Sequence, residues 1–544
     1  MSPRRARLRP GSCGSRFAAI HDALVRRTRR RHRHRHRHRL PAGSGSKASS
    51  TETNGATCKQ GESTQNMRQE LGLEELPEDI IHHIHSLLPV HDAAHAACVS
   101  CRFRRSWRSY SSLILSERTL GFDRKNEEWK TLLIDKVDKI LTNHYHNGVK
   151  VKTRKLDIGP CRDIKASYLD RWLRIIKPGI QEFSLLLPLV VKKIYSFPCS
   201  VLSNEAAASS IQSLSLFGCA FHHTSVLGQL RKLKSLSLRY VHVTEDGLGH
   251  LLSKSSILEW LEIEACSGIV CLKIPCTLQQ LKFLSVKKCK MVRVVEIDAP
   301  RLCSFHYWGT PVIHVQNSSQ LKNVDISPVN QSGILSYARF SLPSIAHNVE
   351  SLTLHGGRSE NANTPMLLSK LPHLKNLKIS LLEPWLSPNY DVFSLVSFLD
   401  ASPALESFIL RVEENAMVHD PVVGDDTEYR RKNLDFRNDS VRKVMITGFC
   451  SAKSLVELTI HILETTHSLE RLTLDTTYGY DRMTCNIGKL PTARMIGKCS
   501  SLSKRALEEA HRAVETADRY IKGRVPSAVQ FEVLGPCPRC HIGK

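Results

Sequence analysis

Near the end of this 544-residue sequence stands Cys537-Pro538-Arg539-Cys540-His541, a run whose residue types and spacing match known redox and metal chemistry. Two thiols three positions apart can form a redox dithiol, half of a zinc site or a c-type haem attachment. Each use needs more than the run supplies. Structural zinc takes four ligands, so Cys485 and Cys499 would have to complete the set, and haem attachment needs an oxidising compartment. The expectation is an inert, reduced tail with no metal bound. A second candidate, His82-His83-Ile84-His85, reads as the polar side of a helix in which Ile84 belongs to the apolar stripe. The phosphate-cradling G-x-x-x-x-G-K-[ST] loop, the H-E-x-x-H helix and the G-x-S-x-G elbow do not occur. No catalytic residue, metal or cofactor is therefore assigned, and the chain is expected to recognise partners rather than make bonds.

Charge narrows which partners. The formal net charge is +25, but residues 1–40 hold fourteen Arg against one acid, Asp22, so this arm carries about half of it. An arm that alternates His and Arg from His32 to Arg39 cannot bury a core and repels itself, so residues 1–70, including the Ser/Thr/Gly-rich linker after Ala42, are expected to be disordered. A nuclear-localisation or polyanion patch, a transit peptide or a solvated tail would all read this way. Nucleic-acid binding through the arm would fall steeply with salt and vanish on its removal; nothing beyond the arm asks for it. The longest apolar run, Phe183 to Val191, contains Pro188 and is flanked by Glu182 and Lys192, so no membrane span is expected. Seventeen scattered cysteines, an odd number, fit reduced thiols better than a disulfide framework, and the N-terminus lacks a secretory h-region. Cytosol or nucleus is the expected compartment.

The elements that could present a recognition surface begin at Leu76. In Leu76-Pro77-Glu78-Asp79-Ile80-Ile81-His82-His83-Ile84-His85-Ser86-Leu87-Leu88-Pro89, the residues Ile80, Ile84, Leu87 and Leu88 recur at helical spacing. Pro77 suits a first turn, the two acids favour its dipole, and Pro89 ends the helix. Asp92 opens a second, Ala-rich helix. A third follows, with Val99, Phe103 and Trp107 four residues apart. About forty residues make a small unit for independent stability. Leu76-Pro77, the stripe, Pro89, Asp92, Val99-Ser100, Phe103 and Trp107 resemble the F-box motif in order and spacing, with Phe103 where the motif usually carries Trp and Trp107 one turn later. The resemblance implies docking onto a SKP-family adaptor and, through it, a cullin, with Leu76, Pro77, Ile80, Ile84, Leu88, Val99, Phe103 and Trp107 holding the adaptor or supporting the surface that does. Ile84→Asp is expected to abolish adaptor retrieval.

Behind this unit one template, apolar-x-x-apolar-x-apolar, recurs ten times from Ile180/Phe183/Leu185 to Leu405/Phe408/Leu410, in steps of nineteen to thirty-one residues. Most steps fall in the range of leucine-rich repeats. Cys219, Cys266 and Cys289 stand where that consensus takes Asn or Cys. Each repeat supplies one strand that it cannot bury alone, so the array is expected to stack into a curved solenoid with a parallel sheet on its concave face. The expected fold is thus α/β: a three-helix box at 71–115, an array at 150–412, a charged loop at 413–440 after a break beyond Leu410, and a terminal cap at 441–544. In that cap Leu455/Leu458/Ile460 and Leu469/Leu472/Leu474 repeat the template too closely for two full repeats. By the period of two, Arg239, Glu262, Glu264, Lys287, His306, Trp308, Asp325, His355 and Lys378 should line the concave face, where Trp308 and mixed charges suit a protein target. Leu455 to Tyr480, a helix from Ser503 to Lys522 and the Cys537 run resemble the C-terminal half of plant F-box/leucine-rich-repeat proteins of the FBD-associated kind. That resemblance implies the substrate-recognition subunit of an SCF-type ubiquitin ligase. The other reading is a repeat scaffold acting outside any ligase, with the box as its cap.

Overall fold

The computed structural model describes residues 76–107, 110–124, 127–146, 151–174, 179–189, 194–202, 208–222, 230–309, 313–316, 319–328, 333–345, 347–356, 370–381, 391–412, 438–477 and 502–537. All of them fall in the unit Leu71–Lys544. The expected arm and linker, most of the charged loop, and Cys540 and His541 lie outside the described residues.

Alternation builds the sheet. In Ser213-Leu214-Ser215-Leu216-Phe217 and Ser235-Leu236-Ser237-Leu238-Arg239 both leucines are buried while the residues between are half exposed, as a strand with one face on a core requires. The strands are β1 (Ser112–Leu115), β2 (Thr153–Asp157), β3 (Glu182–Leu186), β4 (Tyr195–Phe197), β5 (Ser213–Phe217), β6 (Cys219–Phe221) and β7 (Ser235–Arg239). Next come β8 (His242–Val243), β9 (Trp260–Glu264), β10 (Cys271–Ile274), β11 (Phe283–Lys287), β12 (Val294–Asp298), β13 (Ser304–Gly309) and β14 (Ile313–Gln316). The last seven are β15 (Asn323–Pro328), β16 (Ser351–His355), β17 (Asn376–Leu381), β18 (Ser407–Val412), β19 (Lys443–Thr447), β20 (Arg471–Asp475) and β21 (Gln530–Leu534).

Fifteen of these form one sheet in the order β1-β2-β3-β5-β7-β9-β11-β13-β15-β16-β17-β18-β19-β20-β21. Its neighbours pair in parallel, as repetition of one unit dictates. Two three-stranded sheets, β4-β6-β8 and β10-β12-β14, run on the return segments. In all ten expected template matches the second and third apolar positions fall on strands from β3 to β18, the first lies just before the strand, and all three are buried.

The turn that ends a strand also recurs. After β5, β7, β9 and β11 the chain enters the left-handed region at Gly218, Tyr240, Ala265 and Lys288, and the next residue, Cys219, Val241, Cys266 or Cys289, is buried. Gly218 needs to be glycine: φ is +74°, and a Cβ would meet the Leu187 carbonyl oxygen at 2.9 Å. The cysteines cap the strands, Cys266 Sγ donating to the Leu238 carbonyl at 3.3 Å.

Two expectations are corrected. The array does not stop beyond Leu410, because β19 pairs with β18 and β20 and β21 follow in the same sheet. Leu455, Leu458 and Ile460 are not a strand; they lie on a helix, Lys453–Thr465. The strand of that repeat is β19, with Val444 and Ile446 turned inward.

Candidate functional site

Three helices open the described chain: α1 (Glu78–Leu87), α2 (Val90–Val99) and α3 (Cys101–Trp107). Pro77 and Pro89 precede α1 and α2 with nearly the same extended backbone, φ −54°, ψ 151° and φ −55°, ψ 150°, which starts each helix with a residue that has no N–H to satisfy. A small core of Ile81, Ala96 and Phe103 joins the three, with Leu76, Ile84 and Leu88 packed against it. Phe103 is 2% exposed, so the position off the usual motif fills the centre of the box.

His85 is the largest surprise here. It is wholly buried rather than on the polar side, with its ring 5.2 Å from that of Phe103 and 5.4 Å from that of Tyr110. Its Nε2 lies 3.0 Å from the Ala93 carbonyl oxygen. A carbonyl can only accept, so Nε2 carries the proton and ties α1 to α2. Burial holds the pKa below the ordinary histidine value, the Ala93 bond opposing and His82 assisting. Helical phase explains the misreading. At about 100° per residue, Ile81 and His85 lie about 40° apart on the inward side, whereas Ile80 and Leu87 lie about 20° apart on the next sector round. The apolar arc of α1 is wider than the arc the box buries.

The excess faces solvent. Ile80 is 40% exposed, Leu87 56% and Val99 49%. Of the eight residues expected to serve the adaptor, Pro77, Ile80 and Val99 are exposed, Leu76, Ile84, Leu88 and Trp107 are half buried, and Phe103 is interior. Leu87, in the stripe but not among the eight, is the most exposed large apolar residue of the three helices. Cys98-Val99-Ser100-Cys101 is a second Cys-x-x-Cys spacing that the sequence reading passed over, and both thiols are exposed.

The box is continuous with the array. Val90, Ala93 and Tyr110 join Leu113 of β1 in the main core, Tyr110 Oη donates to the Leu88 carbonyl at 2.9 Å, and the His91 amide donates to the Thr119 carbonyl at 3.0 Å. Trp107 stacks on Tyr110 and meets edge-on His144 of α4 (Trp129–His146). This shared core supplies the stability that forty residues alone would lack.

The second surface is the outward face of the main sheet. The register places Arg239, Glu264, Lys287 and Trp308 side by side across β7, β9, β11 and β13. In the next inner row Glu262, Ser285, His306, Asp325, Thr353 and Lys378 run from β9 to β17. All nine expected residues thus fall on one face, His355 sitting at the end of β16 with Nε2 3.6 Å from Asp325 Oδ1. Burial pushes the Asp325 carboxyl up, but the His355 bond and the charges of His355, His306 and Lys287 outweigh it and hold the group low. His306 is shifted down by burial against the pull of Asp325, so at neutral pH their 3.7 Å contact joins a carboxylate to a neutral ring. Lys288 Nζ lies 4.6 Å over the Trp308 ring, and Ser237 Oγ donates to Glu262 at 2.8 Å.

Sequence reasoning missed Trp260 and Phe283. They stack at 3.5 Å and 11° on the same face, His306 is 5.0 Å from Phe283, and Trp260 is 44% exposed. The signal was available one residue before Leu261 and Leu284, where the period of two also points outward.

Among the described residues no three His, Cys, Asp or Glu side chains are grouped so as to hold a metal. None of the described helices is long and apolar enough to cross a membrane.

Comparison with known proteins decides the family. A model described as At1g61320/AtMIF1, LRR domain, matches residues 140–538, and an F-box domain model matches residues 73–115. The chain belongs to the F-box/leucine-rich-repeat family. Among its relatives from Arabidopsis thaliana, F-box/LRR-repeat protein At5g02910 is 25% identical over 52% of this chain and 60% of that protein. F-box/FBD/LRR-repeat protein At1g13570 is 21% identical over 74% of this chain and 90% of that protein. Putative F-box/FBD/LRR-repeat protein At4g03220 is 26% identical over 42% of this chain and 45% of that protein. In this family member the F-box match spans the three helices and β1, and the leucine-rich-repeat match spans the main sheet from β2 onward with its return segments.

Proposed function

We propose that this chain is the substrate-recognition subunit of an SCF-type cullin–RING ubiquitin ligase, working in the cytosol or nucleus. Its F-box docks a SKP-family adaptor through Pro77, Ile80, Leu87 and Val99, with Leu76, Ile84, Leu88, Phe103 and Trp107 holding that surface in shape. The observation that carries the reading is the uncovered apolar sector of α1 and α2, on helices whose inward sides are already filled. Three large aliphatic side chains left in water on so small a unit mark a surface that another protein covers. The cullin is reached through the adaptor.

The outward face of the sheet from β7 to β17 is the target side. Its aromatic pair Trp260/Phe283 and the cation–π pair Lys288/Trp308 supply rigid contact area, and Arg239, Glu262, Glu264, Lys287, His306, Asp325, His355 and Lys378 supply the polar pattern that selects among partners. The chain brings a target near an activated ubiquitin, so its contribution is proximity, and the transfer chemistry belongs to the partners.

The test compares the proteins that accumulate when Leu87→Asp replaces the wild type with those captured by the Leu87→Asp protein itself. The reading expects an overlapping set that Trp260→Ala together with Trp308→Ala no longer captures. Accumulation of nothing, with unchanged capture by the double variant, contradicts it.

A further inference from the structure

β2 breaks the rule that the inward positions of the main sheet are apolar. Its neighbours in register with Arg154 are Leu113 on β1 and Phe183 on β3, and Arg154 is only 4% exposed. Its Nε and Nη1 find no hydrogen-bond partner. The molecule shows elsewhere how it settles a buried guanidinium: Arg339, 1% exposed, donates to Ser397 Oγ at 3.1 Å and to the Ser394 carbonyl at 3.1 Å, and packs on Phe398. Arg154 has no such arrangement. Burial lowers its pKa to about 10, which still leaves it charged at neutral pH, and an unpaired buried cation is among the costliest groups a fold can carry.

His144 stands beside it. The Nδ1 of His144 is also buried without a partner, and its pKa is held down first by burial and then by the charge of Arg154. His144 lines a cleft of about 750 Å3 between α2 and α4, at the seam of box and array. His91, His95 and Lys136 line the same cleft, with Trp107 and Ile140 among its apolar walls. Asp92 is half exposed and lies 3.2 Å from His91 Nδ1; Lys136 Nζ donates to the Leu120 carbonyl at 3.2 Å. His144, whose Nδ1 has unmet hydrogen-bonding capacity, thus lines a cleft of the size that small ligands occupy, and the charge of the buried Arg154 is felt there although Arg154 itself is not part of the lining.

We propose that this cleft binds a small organic oxyanion, its anionic head at His144 next to Arg154 and its apolar body along Trp107 and Ile140. The head gives the buried guanidinium the counter-charge the protein does not supply. Arg154 acts on it through the low-dielectric interior, and His144 touches it. A ligand so placed bridges α2 and α4 and steadies the box on the array. The proposed ligand would not cover the docking surface, because the exposed Ile80, Leu87 and Val99 do not line the cleft; Trp107 is the residue that the two share.

Thermal unfolding of the purified full chain tests this with millimolar phenyl phosphate, benzoate, inorganic phosphate and chloride at matched ionic strength. Phenyl phosphate or benzoate should raise Tm saturably, inorganic phosphate less, and chloride not at all; the two organic arms distinguish a phosphate head from a carboxylate head. Arg154→Met should weaken the apparent affinity about tenfold, the scale of a charge interaction over several ångströms of partly shielded interior, while leaving Tm in buffer unchanged or higher. Should Arg154→Met not fold, His144→Gln carries the same expectation for affinity, and Lys290→Ala, at an exposed residue away from the cleft lining, should leave the response as in the wild type. No saturable response to either organic probe overturns the proposal, as does an equal response in wild type and cleft variants.

Discussion

At the scale of single residues, one helix of the box carries two apolar sectors and buries only one. Periodicity made α1 legible as an amphipathic helix, but it could not say where the buried arc ends, since a histidine in the pattern reads as polar. His85 is interior because its ring nitrogen reaches the Ala93 carbonyl and its faces meet Phe103 and Tyr110. Only a three-dimensional neighbour list reveals such a partner. The burial has a measurable sign. A histidine whose folded pKa lies below its unfolded value stays neutral in the fold while the unfolded chain takes up a proton, so its contribution is present above pH about 6.5 and is lost as pH falls through the folded pKa. Unfolding midpoints between pH 7.5 and pH 5 should therefore fall more steeply for the wild type than for His85→Leu. A wild-type profile parallel to that of the variant would place His85 in water.

At the scale of elements, the strand template was readable wherever Leu, Ile, Val or Phe filled its inward positions, which covers β3, β5, β7, β9, β11, β13 and β15 to β18. β1, β2, β19 and β21 escaped, and for β2 and β19 the physical reason is plain. β2 carries Arg154 at an inward position, so the pattern looks broken where the fold continues. β19 is separated from β18 by a long charged stretch, and the next Leu-rich segment belongs to the helix Lys453–Thr465. The end of the array also depends on an element whose role the sequence did not disclose. Glu509, on the helix Lys504–Thr516, is 3% exposed and accepts from the Ser451 amide at 2.8 Å, the Ser451 hydroxyl at 2.7 Å and Arg512 at 2.6 Å. It pins this helix to the loop after β19. Glu509→Ala leaves the Ser451 donors buried and unmet, and should cost about 3 kcal/mol in denaturant unfolding. A loss below about 0.5 kcal/mol, the size of an ordinary surface change, would contradict the pinning role.

At the scale of the whole unit from Leu71 onward, box and array share one core, so neither is a detachable module. Deleting residues 71–115 would remove β1 and the partners of α4 along with the three helices of the box, and would confuse loss of binding with loss of fold. The half-buried Ile84 packs on the box core, so Ile84→Asp carries the same ambiguity. Exposed residues avoid it. The most direct measurement is the affinity of a purified SKP-family adaptor for wild type, Leu87→Asp and Val99→Asp, with unfolding midpoints recorded for all three. Substitution at the covered centre of an interface commonly costs 2 kcal/mol or more, so the account expects each variant to bind about thirtyfold more weakly or worse while its midpoint stays close to that of the wild type. Wild-type affinity in both variants, or no adaptor binding by the wild-type chain, would contradict the claim that this repeat protein is a ligase receptor.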